Sequence, residues 1–232
     1  MLIKEWVIGL EKHVVIIYPH PDDESFGTAG TIFKFRKQGV PVTYLCGTLG
    51  EMGRNMGAPI FANRETLPEI RRKELEEVSK YLDIDVRLLG YRDKTIEFED
   101  RHEMAVHIKG ILEDIQPSLV ITHYPDYAVH PDHDALGAAV IEAVRLMKAD
   151  QRPTVWAQAI TNNYTDDLGE PDVVHDIRDN FDKKMGAIAV HKSQADGMLE
   201  SMNGDPEIAE TVKEDLKTRL GFESFYIWNF DE

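Results

Sequence analysis

The chain has 232 residues, 42% of them hydrophobic and 29% charged, enough to bury the core of one domain. Its 42 acidic residues outweigh 26 basic ones, and the resulting net charge of −16 repels phosphate backbones and anionic lipid headgroups. Neither nucleic acid nor a membrane is therefore expected as a partner, whereas a small anionic substrate stays open because a local arginine cluster can override the global field.

Cys46 is the only cysteine, so neither an intrachain disulfide nor a C-x-x-C pair can form. Residues 1–12 carry Glu5 and Glu11 and lack a basic stretch followed by an apolar core, and no apolar run approaches membrane-spanning length. The expected compartment is a reducing cytoplasm.

Along the chain, apolar runs alternate with helical periodicity. Residues 14–18 form a short continuous apolar run, the pattern of a strand buried on both faces. Helical spacing follows over 25–38, then a second strand at 42–46. Residues 47–66 carry Gly47, Gly50, Gly53, Gly57 and Pro59 and read as a loop, long enough to point to function. Pro68 suits the first turn of a helix reaching residue 82. A third strand at 86–89, a helix at 102–115, a fourth strand at 119–123, a helix at 131–148 and a fifth strand at 155–160 complete the alternation. This order predicts an α/β fold, a Rossmann-like, mostly parallel sheet with helices on both faces. A smaller C-terminal elaboration starts near residue 165, with a strand at 173–177, helices at 179–190 and 206–220, and an aromatic strand at 225–228. No repeat or low-complexity linker divides the chain, so 1–232 is expected to form a single domain.

Two polar clusters stand at strand ends. His20-Pro21-Asp22-Asp23-Glu24 follows the first strand, and His130-Pro131-Asp132-His133 follows the fourth. Open α/β sheets bind ligands at the carboxyl ends of strands where strand order reverses. In a 3-2-1-4-5 sheet, strands one and four flank that point, so both clusters are expected to face one crevice. The first turn lacks the glycine patterns that cradle phosphate and carries three carboxylates instead. Imidazoles and carboxylates together suit a divalent metal, either zinc or ferrous iron, with groups left over for acid–base work. The bland alternative for the first cluster is a capped helix start, with Asp23 or Ser25 as the cap. For the second it is a chance H-x-x-H spacing.

These paired segments resemble the zinc-dependent N-deacetylases of the PIG-L/LmbE type, whose marks are a HPDDE segment after the first strand and a HPDH-like segment after the fourth. Arg71-x-x-Glu74 and His191-x-Ser193-Gln194 fit as well, so the likeness spans residues 14 to about 194. Within that family, Tyr18-Pro19-His20 and the glycine-rich loop are most similar to the deacetylases of bacillithiol biosynthesis, which act on N-acetylglucosaminyl-malate. The resemblance implies that His20, Asp23 and His133 bind zinc, with ferrous iron an alternative. It implies that Asp22 is the general base, that His130 stabilises the oxyanion or protonates the leaving amine, and that Asp132 orients His130. Glu24 is expected to be structural, pairing with the glycine-rich loop. The resemblance also implies a symmetric homo-oligomer, a hexamer being one candidate.

Substrate contacts are less legible. Of Arg54, Arg64, Arg71 and Arg72, Arg71 is the one expected to pair with a substrate carboxylate, while Arg72 reads as a solvated helix residue. His191 is expected to close the substrate site from the C-terminal part, a buried structural histidine being the alternative. His123, at the end of strand four, is expected beside the metal ligands. Three other functions compete: a deacetylase of another N-acetyl sugar such as a chitin fragment, a non-catalytic metal-binding α/β module, and a metal-free glycosidase using paired carboxylates.

Overall fold

Short runs rich in β-branched and apolar residues form the strands of the sheet. In the computed structural model, which describes residues 11–200 and 206–230, the first five strands are β1 (Val14–Tyr18), β2 (Val42–Cys46), β3 (Asp85–Leu88), β4 (Leu119–His123) and β5 (Thr154–Gln158). They run parallel in the order β3-β2-β1-β4-β5, as the alternation of elements predicts. Two later strands, β6 (Val173–Asp176) and β7 (Phe222–Ile227), extend the sheet, with β7 antiparallel to both β5 and β6.

The helices are α1 (Asp23–Lys37), α2 (Leu67–Leu82), α3 (Arg101–Ile115), α4 (Pro131–Leu146), α5 (Tyr164–Leu168), α6 (Phe181–Val190), α7 (Lys192–Glu200) and α8 (Pro206–Leu220). Successive side chains of a strand point to opposite faces, and β1 shows the consequence. Val14, Ile16 and Tyr18 enter a core with residues of α1, α2 and α6, while Val15 and Ile17 enter a second core with α3 and α4. The central strands β1, β2 and β4 are buried along their whole length, and the edge strand β3 is largely exposed. None of the described helices is long and apolar enough to cross a membrane.

Some boundaries differ from expectation. Strand β5 stops at Gln158 because the Ile160 N–H bonds the Tyr127 carbonyl at 2.8 Å instead of continuing a ladder. Strand β7 begins at Phe222, three residues before the aromatic pattern implies. Helices α5 and α7 went unforeseen: α5 has five residues, too few for a periodic signal, and α7 buries only Ser193 and Ala195. The glycine-rich stretch is a loop throughout.

The register decides where chemistry can occur. Ile17 pairs with Thr122, so β1 and β4 end side by side and their outgoing loops start as neighbours. Helix α4 opens with Pro131 in its first turn, where a missing N–H costs nothing. Helix α1 opens without a side-chain cap, on Asp22 with φ 112° and ψ −28°.

Candidate metal centre and active site

The two sequence clusters meet. His20 Nδ1 lies 3.1 Å from His133 Nε2, and Asp23 presents one oxygen to each imidazole, at 3.4 Å from His20 Nδ1 and 3.3 Å from His133 Nε2. Atoms about 2.0–2.1 Å from a tetrahedral ion lie roughly 3.3–3.4 Å from one another; the imidazole pair is near that spacing, and one ligand atom from each of the three residues lies within 4.8 Å of the others.

Tautomers strengthen the reading. His133 Nδ1 bonds the Ala128 carbonyl at 2.9 Å, and a carbonyl only accepts, so Nδ1 carries the proton and Nε2 offers a lone pair. His20 Nε2 faces two carboxylates, Asp93 at 3.2 Å and Asp132 at 3.4 Å, which draw its proton to that side. Two nitrogen lone pairs 3.1 Å apart repel unless a proton or a cation lies between them. The donor set of two imidazoles and a carboxylate suits a divalent cation with one position left for a reactant. These are the residues that the family resemblance implies as ligands.

The carboxylates of the first turn are not caps. Asp22 occupies the N-cap position of α1 but makes no side-chain bond to the helix, and Asp23 turns to the imidazoles. This removes the bland reading of the first cluster. Burial works against charge on Asp23, yet His133 and His20 outweigh it and hold its pKa well below the usual carboxylate range. Burial likewise opposes a charged His20, and Asp132, Asp23 and Asp93 together raise its pKa well above the ordinary imidazole value.

Asp22 has a different environment. Its Oδ2 forms an ion pair with Arg71 Nη2 at 3.0 Å, and its side chain stays partly open. Burial raises its pKa to about 6 against the pull of Arg71. His130 is the N-cap of α4, and its Nδ1 accepts the Asp132 backbone N–H at 3.1 Å. Its neutral form therefore carries the proton on Nε2, ready to donate. Burial lowers the His130 pKa, as do the neighbouring His20 and His133.

Several residues stand elsewhere than expected. Asp132 makes no side-chain bond to His130. Its oxygens accept from the backbone N–H groups of Lys94 at 2.6 Å and Ile96 at 3.1 Å and face His20 Nε2. Any influence on His130 acts through space. Arg71 is 3% exposed, donates to the Pro21 carbonyl and to the Gly50 carbonyl at 3.1 Å, and forms an ion pair with Asp22. A guanidinium so engaged holds the loop and the acid and is not turned to a substrate carboxylate, contrary to expectation. His191 is fully buried, with its Nε2 on Glu24 at 2.7 Å, so it does not line the substrate site either. Glu24 is structural, but its partners are His191, Ser25 and the Asp22 N–H in place of the glycine-rich loop. His123 stacks on His133 with ring centroids 4.1 Å apart, beside the ligands as expected.

Asp93 escaped notice in the sequence. It is 3% exposed, accepts the Met52 N–H at 2.7 Å and contacts His20. Its place in Gly90-Tyr91-Arg92-Asp93, just past the end of β3, was the available signal, since polar residues at that edge of a parallel sheet face the crevice. The two other motifs, Arg71-x-x-Glu74 and His191-x-Ser193-Gln194, prove to be two halves of one contact. Ser193 gives both its N–H and its hydroxyl to Glu74, each at 2.7 Å. A cavity of about 440 Å³ opens beside Asp23 and His123, bordered by Phe26, Gln158 and Tyr164, within the usual size of a small-molecule site. A larger cleft of about 1330 Å³ lies away from these residues, between α1, α2 and α6, so size alone does not locate the chemistry.

The chain is similar to known proteins at several levels of identity. Over residues 15–144 the chain matches the family described as PIG-L, GlcNAc-PI de-N-acetylase. It is 52% identical over 192 residues to a probable N-acetyl-alpha-D-glucosaminyl L-malate deacetylase 2 of Bacillus cereus, covering 82% of this chain and 87% of that protein. The corresponding Bacillus subtilis protein is 50% identical over 213 residues, covering 89% and 96%. Among solved structures, the N,N'-diacetylchitobiose deacetylase of Pyrococcus horikoshii is 28% identical with a TM-score of 0.71, covering 94% of this chain and 84% of that one. With the family match covering more than half the chain and half its residues identical to relatives along most of its length, the protein belongs to the PIG-L family.

Proposed function

We propose that the protein is a metal-dependent deacetylase that removes acetate from the nitrogen of an N-acetylglucosaminyl substrate, N-acetylglucosaminyl-malate in particular, in the reducing cytoplasm. One observation carries this reading. Two imidazole lone pairs and a carboxylate converge on one point, while the adjacent acid, Asp22, remains outside the triangle. The malate-bearing substrate is supported by the two Bacillus relatives and by their coverage along almost the full chain.

Amide hydrolysis needs an activated water, a stabilised oxyanion and a protonated leaving nitrogen. A cation held by His20, Asp23 and His133, zinc or the ferrous iron that the same donor set accepts, would supply Lewis acidity and, in the case of zinc, draw the pKa of water from about 15.7 towards roughly 7. Asp22 takes the proton of the attacking water and returns it to the leaving nitrogen as the C–N bond breaks. Arg71 keeps the carboxylate oriented, and burial keeps it basic enough to work near neutrality. His130 donates its Nε2–H to the developing oxyanion. Because the Asp132 N–H occupies Nδ1, this donor exists without prior protonation. Such a donor typically contributes about 2.7–4 kcal/mol. Asp93 and Asp132 face His20 Nε2, which leaves the Nδ1 lone pair free for a cation that His20, Asp23 and His133 would hold. Tyr44 adds to this by donating its hydroxyl to the His20 carbonyl at 2.5 Å.

The test is release of acetate from N-acetylglucosaminyl-malate, measured with and without a chelator and against N-acetylglucosamine and diacetylchitobiose. The reading expects chelator-sensitive release and preference for the malate-bearing sugar. Preference for diacetylchitobiose would transfer the assignment to chitin fragments. Release that survives complete metal removal would overturn the mechanism.

A further inference from the structure

Asp22 sits in a backbone conformation that its residue type disfavours. A residue bearing Cβ is strained at φ 112° and ψ −28°, and such strain persists only where neighbours over-determine it. The neighbours can be named. The Asp22 N–H donates to Glu24 Oε2 at 3.0 Å. The other Glu24 oxygen accepts from the Ser25 hydroxyl at 2.6 Å and from His191 Nε2 at 2.7 Å. Glu24 and His191 are both completely buried. His191 arrives from the α6–α7 corner, 167 residues further along the chain. That corner is itself tied down, through Ser193 to Glu74 and through the Ser193 carbonyl to the Gly57 N–H at 3.1 Å.

We propose that His191 is a positioning residue for the deacetylation: through the Glu24 carboxylate it locks the backbone of Asp22 in its left-handed conformation and so aims the base. The proposal rests on the assignment of Asp22 as that base. A buried carboxylate that loses one of its donors becomes free to turn towards whatever donors remain. If Glu24 turns, the Asp22 N–H loses its acceptor and the residue relaxes towards an ordinary φ, which swings its Cβ and carboxylate. A displacement of about 1 Å at a reacting group can lower turnover by about 100-fold. His191 itself stays behind Glu24 and touches neither ligand set nor substrate cavity. A core histidine that merely filled space would show no such dependence on its donor.

The test compares His191→Gln, whose amide nitrogen reaches about as far as Nε2, with His191→Asn, which is one methylene shorter, and with Glu24→Gln. Expected for His191→Asn is a kcat about 100-fold lower with KM and metal content unchanged and with faster hydrogen exchange at the Asp22 amide. His191→Gln should restore most of the kcat and the exchange protection. The double variant His191→Asn/Glu24→Gln should be no worse than the weaker single, because the two act in series. A folded, metal-loaded His191→Asn enzyme with wild-type kcat and Asp22 exchange would overturn the proposal, as would equal losses in the Gln and Asn variants. A wild-type enzyme that releases no acetate sinks the parent assignment itself, whereas an active wild type indifferent to His191→Asn sinks this inference alone.

Discussion

His175 should impose a measurable acid limit on the stability of the fold. It is 4% exposed, lies between Trp156 and Phe225, and has one side-chain bond, from Nδ1 to the Thr31 hydroxyl at 2.8 Å. Burial, aided by Lys34, depresses its pKa to about 4. An unfolded chain restores the ordinary value of about 6.5. Above pH 6.5 the ring is neutral in both states and costs nothing. Between 6.5 and 4 the unfolded state binds the proton and the folded state does not, so stability falls as pH falls. The interval is about 2.5 units, and at about 1.36 kcal/mol per unit the loss is about 3 kcal/mol. The assay is urea unfolding of the wild type and of His175→Phe at a series of pH values from 7.5 to 4.5. Phenylalanine keeps a ring against Trp156 but cannot titrate. The variant forfeits the bond to Thr31, a pH-independent cost of about 1 kcal/mol. Other buried groups, His123 among them, titrate in both proteins and cancel in the difference. The two stability curves should therefore converge as pH falls and cross near pH 5.8, about 0.7 unit below 6.5. Parallel curves over the whole range would refute the reasoning, because they would mean that the imidazole is protonated equally in both states.

Other expectations concern the site directly. Asp22→Asn should retain metal and lose at least about 100-fold in kcat, the usual worth of a general base, while Asp23→Asn should lose metal. Elemental analysis showing the reverse pattern would exchange their roles. Gly50→Ala should impair turnover without touching the ligands. Gly50 has φ 60°, and a methyl there runs into the Arg71 guanidinium that holds Asp22, so restored activity in a larger-side-chain series would count against the role given to Arg71. Lys184→Met should destabilise the protein by about 3–5 kcal/mol in denaturant unfolding. It strands Glu223, which pairs with Lys184 at 2.8 Å with both side chains 1% exposed and also receives the Gly30 and Thr31 N–H groups of α1.

Periodicity and composition by themselves determine much of this protein. Strands at β1, β2 and β4 were legible because a strand buried on both faces must be apolar throughout, and the alternation with helices then required parallel pairing. The two histidine-bearing clusters were legible because their residue types and their places at strand ends both point to a metal. Direction and partnership of side chains were decided only by tertiary structure. Arg71 and His191 carried the right chemistry for substrate contact, yet packing turns them inward onto Asp22 and Glu24. Asp132 carried the right chemistry to orient His130, yet it bonds His20 and two backbone N–H groups in preference to His130. Asp93 gave no motif at all, because its function depends on β3 lying at the sheet edge beside β2, which brings the segment after it to His20. The physical reason is common to these cases. Which element a residue joins is settled by local spacing, whereas which partner a polar group meets depends on the order of strands and the faces that remain after the core has closed.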